Sequence, residues 1–301
     1  RWKIDKPNGN PTLVVANTID VAFSNLNFMT DNSAITAEAR QKGSDSFSFD
    51  VKFSNVYMSD LLSFQKDKWE GTINGFLNIR QSSYGFDGNS NLDFSELALN
   101  GVPLGEAELL LHSNKENQNY QLELQISDDG NDVFLATGIL GVGNSFTDWE
   151  VDIAFSDYNL SLISGLTSDI FSPFNGKANG NLHLSSKAGK IIPTGSIFVN
   201  DLTLGVPYLN TLYKFTETVP FRFTEDVIKI NRSGFSSGSK QTANLQGLLT
   251  HKSFSNWGLD MNINSKQLEV LNTAFTKESL YYGNAFFDGD AHLHGAFSNM
   301  Q

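Results

Sequence analysis

The sequence predicts an all-β fold, an elongated antiparallel sheet, and three observations carry that reading: period-two alternation, frequent turn pairs and a long self-repeat. Val21 and Phe23 follow Ile19 at alternate positions, opening the pattern. Phe47-Ser48-Phe49-Asp50-Val51-Lys52-Phe53-Ser54 then alternates apolar and polar without a fault, as does Tyr120-Gln121-Leu122-Glu123-Leu124-Gln125-Ile126-Ser127. Trp149, Val151, Ile153 and Phe155 continue it, and Leu259-Asp260-Met261-Asn262-Ile263-Asn264 repeats it late in the chain. Successive side chains of a strand point to opposite faces, so each segment has one apolar and one wet face. Buried parallel strands would instead read as continuous apolar runs. The pairs Asp87-Gly88, Asn100-Gly101, Asp129-Gly130 and Ser237-Gly238 are the predicted turns. Helical spacing is confined to Ile163, Leu166 and Ile170 and to Leu209, Leu212 and Tyr213, which predicts short caps or plugs.

Self-comparison exposes the repeat. Trp69-Glu70-Gly71-Thr72-Ile73-Asn74-Gly75-Phe76-Leu77-Asn78-Ile79 aligns with Phe174-Asn175-Gly176-Lys177-Ala178-Asn179-Gly180-Asn181-Leu182-His183-Leu184, 105 residues on. Leu97-Ala98-Leu99 matches Leu202-Thr203-Leu204 at the same offset. Phe146-Thr147-Asp148-Trp149 matches Phe254-Ser255-Asn256-Trp257, 108 residues on, and Phe53-Ser54-Asn55 and Phe155-Ser156-Asp157 sit 102 apart. These offsets predict one continuous body over 1–301, with repeat units at approximately 49–155 and 156–264 and a partial third over 265–301. The 24 phenylalanines concentrate on the apolar faces. A closed sandwich would satisfy those faces, and so would a single sheet folded lengthwise into a gutter.

Composition narrows the function. With 33 acidic and 21 basic side chains the net charge is -12, which disfavours nucleic acid and anionic membrane surfaces as partners. The absence of cysteine removes disulfides, zinc–thiolate sites and iron–sulfur clusters. The longest aliphatic stretch, Leu13-Val14-Val15-Ala16, is too short to span a bilayer. The chain opens at Arg1, not Met, and is expected to be a piece of something longer.

Catalytic and metal motifs are weak. Gly234-Phe235-Ser236-Ser237-Gly238 spells a nucleophile elbow, but Ser239 to Leu245 leads into a strand where the elbow needs a helix, so a polar turn explains it. Asp288, Asp290, His292 and His294 share one strand face, as a solvated face would. Asp128-Asp129-Gly130-Asn131-Asp132 lacks the twelve-residue calcium spacing and reads as a hairpin. Gly71/Gly75 and Gly176/Gly180 are expected to permit bends or bulges. No catalytic residue, metal or cofactor is expected, and the chain is not read as an enzyme.

Tyr158-Asn159-Leu160-Ser161-Leu162-Ile163-Ser164-Gly165-Leu166, with Ile170-Phe171-Ser172-Pro173-Phe174-Asn175-Gly176, resembles the translocation and assembly module subunit TamB, of the AsmA-like family of Gram-negative bacteria. Tyr208-Leu209-Asn210-Thr211-Leu212-Tyr213-Lys214-Phe215 with Val219-Pro220-Phe221-Arg222-Phe223, and Gly247-Leu248-Leu249-Thr250-His251-Lys252-Ser253-Phe254-Ser255-Asn256-Trp257, carry the same likeness. So do Val270-Leu271-Asn272-Thr273-Ala274 and Leu280-Tyr281-Tyr282-Gly283-Asn284-Ala285; the likeness runs from about Ser156 to Gln301. The resemblance implies a periplasmic β-taco, a U-shaped sheet with an apolar interior, within an inner-membrane-anchored protein reaching the outer membrane. It further implies phospholipid movement between the membranes and a β-barrel partner, TamA- or BamA-like, bound through regions outside this stretch.

The lining expected of such a groove is Phe49, Val51, Phe53, Leu77, Ile79, Leu122, Leu124, Ile126, Trp149, Val151, Ile153, Phe155, Leu182, Leu184, Leu259, Met261 and Ile263. Asp50, Asn78, Glu123, Asp152 and Asp260 should face water, since unpaired buried carboxylates are costly. Three functions compete: a conduit for phospholipid acyl chains, an outer-membrane-protein assembly factor acting through sheet edges, and a passive structural repeat.

Overall fold

The computed structural model describes residues 2–5, 12–17, 20–43, 46–63, 68–82, 85–114, 119–141, 148–163, 172–238, 241–275 and 282–296. Two compact units divide the chain, Arg1–Val151 and Asp152–Gln301. The first holds β1 (Lys3–Asp5), β2 (Thr12–Asn17), β3 (Asp20–Met29), β4 (Ala34–Lys42), β5 (Ser46–Tyr57), a one-turn helix α1 (Met58–Leu61), β6 (Trp69–Ser82), β7 (Gly85–Leu99), β8 (Val102–Asn114), β9 (Asn119–Asp128) and β10 (Asn131–Leu140). β1 and β2 share β3 as partner, and from β3 to β10 each strand pairs with the next.

The unit boundary falls inside β11 (Trp149–Asn159). A 3-10 turn at Leu160–Ile163 follows, then β12 (Phe174–Lys187), β13 (Lys190–Val206) and a second 3-10 turn at Pro207–Leu209. β14 (Thr211–Phe215), β15 (Val219–Thr224), β16 (Val227–Ser236), β17 (Thr242–Lys252), β18 (Ser255–Thr273) and β19 (Gly283–Ala296) complete the second unit. β14 and β15 act as one interrupted strand, since both lie between β13 and β16. Every strand pair whose register is resolved is antiparallel, and the helices are single turns, so the chain is all-β as the alternation predicts.

The hairpins at Asn100-Gly101 and Asp129-Gly130 turn where expected. Both residues of each pair are left-handed, at φ 53 and 78 and at φ 48 and 77, the twist that flanking strands favour. Ser237 and Gly238 follow β16 directly. Asp87-Gly88 is a correction: the pair lies within β7, opposite Arg80 and Ile79, because ladder pairing with β6 outcompetes its turn propensity. Leu212 and Tyr213 are likewise strand, in β14; only Pro207–Leu209 turns helically. Of the other helical patch, Ile163 ends the 3-10 turn, while Leu166 and Ile170 lie outside the described residues, as does Ile19.

Bulges recur on one strand of successive hairpins. Ser54 and Asn55 of β5 oppose the single residue Asn74, and Glu96 and Leu97 of β7 oppose Gly71. In the second unit Asp201 and Leu202 of β13 oppose Gly176, and Lys266 and Gln267 of β18 oppose Asp288. Asn55, Glu96, Asp157, Asp201 and Gln267 are all left-handed, φ 49 to 53. The next residue in each case is driven into the core: Val56, Leu97, Tyr158, Leu202 and Leu268 are buried. An asparagine on the following strand clamps the bend, the Asn55 N–H donating to Asn74 Oδ1 (2.7 Å) and the Asp157 N–H to Asn179 Oδ1 (2.9 Å). These bends are the repeat expressed as geometry. After the bends at Asn55 and Asp157, one helical turn (α1, and Leu160–Ile163) buries Met58 or Leu160 and Leu162.

Each unit curls with its apolar face inside. Tyr120 on β9 donates its hydroxyl to the carbonyls of Arg80 on β6 and Asp87 on β7, both at 3.1 Å. β9 and β6 are three strand spacings apart, about 14 Å on a flat sheet, farther than a tyrosine reaches. In the second unit Tyr213 on β14 makes the same kind of crossing to the Glu269 carbonyl of β18 (3.0 Å). Burial raises the pKa of both phenols above the ordinary tyrosine value. A core forms beneath Tyr213, where Phe235, Ala243 and Leu268 pack with Phe215, Leu245, Ile263 and Val270.

Close strand approach makes Gly180 irreplaceable: a Cβ there would stand 2.3 Å from the Ser196 carbonyl oxygen, at φ 130. Gly189 has φ 79 with nothing within 4 Å of its Cβ position. Gly180→Ala should therefore cost about 3 kcal/mol and Gly189→Ala only about 1 kcal/mol, as read from urea denaturation. Equal losses would mean that backbone angle, not strand spacing, sets the requirement.

Candidate functional site

The strand registers assemble apolar rows across each curled sheet. In the first unit Leu26, Ala37, Val51, Leu77, Ser90, Leu111, Leu122 and Gly138 stand opposite one another from β3 to β10. A second row runs Phe28, Ile35, Phe53, Gly75, Leu92, Leu109, Leu124 and Ala136. Phe49 pairs with Ile79, and Ile126 lies between Ala107 and Phe134. Gly138 abuts Val151, so Trp149 and Val151 on β11 extend the same face.

In the second unit one row runs Leu182, Gly195, Phe223, Ile228, Leu249, Leu259 and Gly295. The next runs Gly180, Ile197, Phe221, Ile230, Gly247, Met261 and Leu293. Leu184 pairs with Pro193, and Ile263 lies between Leu245 and Ala291. Ile153 and Phe155 occupy β11 in alternation. Thus the structure gathers the residues singled out in the sequence onto an apolar face within each unit. Unforeseen members came from Leu109 and Leu111, within a Leu-Leu-Leu run without clean alternation, and from Phe221 and Phe223, on a strand fragment of only six residues. Tyr120 was visible as an alternating residue, but its crossing to β6 has no local signal.

That face is largely but not fully covered. Val51 and Leu182 are buried, at 7% and 8% exposure; the other fifteen predicted lining residues are intermediate. Their polar neighbours Glu123, Asp152 and Asp260 are exposed, and Asp50 and Asn78 are partly so. The polar face carries a recurring pair: Asp50 with Asn78 and Arg80, Asp152 with His183 (2.8 Å), and Asp260 with His292 (2.8 Å). These aspartates occupy the same place in the repeat.

The other sequence candidates resolve into structural roles. The Gly234–Gly238 segment is the end of β16 and its turn: Phe235 is buried, and Ser237 Oγ accepts the Glu269 N–H (2.9 Å). Asp290 accepts from Asn264 Nδ2 (2.8 Å), and among the described residues no group of three His, Asp or Glu side chains could hold a metal. Asp129-Gly130 is the β9–β10 hairpin, where Ser127 Oγ donates to Asp132 (2.7 Å) and lowers that carboxyl's pKa.

One buried titratable group was not foreseen. His251, near the end of β17, is 2% exposed and stacks on Phe254 at 4.9 Å between ring centroids. Its Nδ1 accepts the Phe254 N–H, which leaves the proton on Nε2, and that atom has no partner among the described residues. Asp226 Oδ1 is also buried and unpartnered. Burial pushes the imidazole below the usual histidine pKa, against the smaller upward pull of Asp226.

No family model, no curated protein and no solved structure matches the chain. Among the described residues no helix is long and apolar enough to cross a membrane.

Two outcomes follow. A folded-state pKa below the unfolded value means the folded chain binds fewer protons, so His251's contribution is complete above pH ~6.5 and is lost as pH falls below it. Urea midpoints should drop across that window in the native sequence and lose that component in His251→Gln; an unchanged slope would assign it elsewhere. Truncation should also separate core from face: Leu202→Ala, at 2% exposure, should cost about 2–5 kcal/mol, and the less buried Leu184→Ala less than about 2 kcal/mol.

Proposed function

We propose that this chain is a periplasmic stretch of a TamB-like, AsmA-like protein, and that its curled sheets hold phospholipid acyl chains on their apolar faces as a route between the inner and outer membranes. The observation that carries the reading is the incomplete cover of registered apolar rows in both units. A structural repeat would gain stability by covering those rows, because each buried CH2 contributes about 0.8 kcal/mol. An acyl chain laid across them gains the same increment, while its head group stays at the water boundary. Contacts of similar strength along a row suit movement better than one tight site, since cargo has to leave as well as enter. A TamA- or BamA-like barrel would be engaged by regions outside this stretch.

A second reading, assembly of outer-membrane proteins, is favoured by β19. Among the described residues it pairs only with β18, and its 14 residues include no Lys or Pro to blunt the edge. A client strand could add there by backbone hydrogen bonding.

Native mass spectrometry of the purified chain decides between them. Phospholipid adducts that Val151→Asp and Met261→Asp abolish would support the conduit. In full-length protein those variants should lower lipid passage on the order of a hundredfold, given about 3 kcal/mol for a charge in an acyl path, and sensitise cells to detergent or vancomycin. Asp152→Lys, on the polar face, should be silent. Silent groove variants together with a client hairpin captured at β19 would replace the conduit with the assembly reading.

A further inference from the structure

The polar face of the second unit contains a trough unrelated to the acyl-chain reading. It is a cavity of about 530 Å3 lined by Arg232, Asn244, Gln246, Asn262, Asn264, Asp290 and His292, with Leu245, Ile263 and Ala291 between them. Register explains its shape. Asn244, Asn264 and Asp290 stand opposite one another on β17, β18 and β19, and Gln246, Asn262 and His292 do so two residues along. Two cross-strand polar rows therefore form the walls, and the backbone of Leu245, Ile263 and Ala291 runs along the floor. Arg232 closes the β16 end because Asn231 and Arg232 form a bulge opposite Gln246.

The groups in the trough divide into committed and free. Asp290 is held by Asn264, and Asp260 at the rim is held by His292. Arg232, Asn244, Gln246 and Asn262 make no side-chain hydrogen bond among the described residues. A guanidinium without a carboxylate partner, in a chain with 33 acidic residues, stands at one end; a carboxylate, Asp290, stands at the other. Three free carboxamides, each both donor and acceptor, lie between.

We propose that this trough binds an oligosaccharide with a carboxylate on its terminal sugar. The guanidinium fork matches a carboxylate in bidentate geometry, and carboxamides match ring hydroxyls, which also donate and accept. From β16 to β19 the trough spans three strand spacings, about 14 Å, and an extended glycan advances by nearly one spacing per ring. Asp290 repels a second carboxylate at the far end and so fixes the direction in which the glycan lies.

Isothermal titration with sialyllactose, lactose and acetate tests this. Sialyllactose should bind the intact chain, lactose at least about tenfold more weakly, and acetate not measurably, since the carboxylate and the ring hydroxyls act together. Arg232→Ala should reduce sialyllactose affinity to that of lactose, and Asn262→Ala should weaken both sugars. Arg232 is exposed, so its removal should leave the circular dichroism spectrum unchanged. Equal binding of lactose, binding of acetate alone, an unaffected Arg232→Ala, or no sialyllactose binding at millimolar concentration would each overturn the proposal.

Discussion

Three of the five bends share one arrangement: a left-handed residue whose N–H is taken by a side chain on the next strand. A straight ladder has no spare N–H for such a bond and no reason to curl. At Asn55 and Asp157 the acceptors are Asn74 and Asn179; at Glu96 the acceptor is Glu106 Oε1, at 3.0 Å. Left-handed backbone costs an L-residue roughly 1–2 kcal/mol, less for Asn and Asp. The hydrogen bond offsets part of that cost. Burial of the following apolar residue offsets the rest, and Val56 and Leu202 are almost wholly enclosed. Without these bends the tyrosine crossings from β9 to β6 and from β14 to β18 could not form, and the apolar rows would lie flat in water.

Much of this was legible in the sequence because alternation and turn chemistry are local. The strands at Ser46–Tyr57, Asn119–Asp128 and Trp149–Asn159 and the Asn-Gly and Asp-Gly hairpins follow from neighbouring residues alone. The paired glycines at 71 and 75 and at 176 and 180 announced the bulges, because a residue lacking Cβ in a strand marks close backbone approach. The left-handed Glu96 and Gln267 were not legible, since neither residue type favours that conformation and the demand comes from the neighbouring strand. Asp87-Gly88 failed for the converse reason: a pair with strong turn propensity was held straight by its ladder with β6. The trough was hidden too, because its walls are built by register across three strands and Arg232 reaches it only through a bulge.

The composition of the apolar rows suits a curled sheet. Large residues alternate with glycine along them: Phe53, Gly75 and Leu92 in one unit, Ile230, Gly247 and Met261 in the other. Curling brings inner side chains together, and glycine relieves the crowding, as small residues do inside small barrels. The same glycines let the backbones approach closely: a Cβ at Gly75 would stand 2.0 Å from the Asn91 carbonyl oxygen, and one at Gly247 2.2 Å from that of Asp260. A row of leucine and isoleucine alone would force the strands apart.

An uncovered apolar face is a hazard unless the rest of the surface prevents association. Here the strand alternation places aspartates on the reverse face at matching points of the repeat, and the chain as a whole carries a net charge of -12. Repulsion between like-charged copies disfavours stacking of sheets, and the pairing of Asp50, Asp152 and Asp260 with a polar or basic neighbour limits the strain of placing charge beside charge. Each strand therefore serves two chemistries at once, apolar on one side and charged on the other. Because side chains alternate, a change on one face leaves the other largely intact, so the apolar inner face and the polar outer face can be altered independently in the same strands.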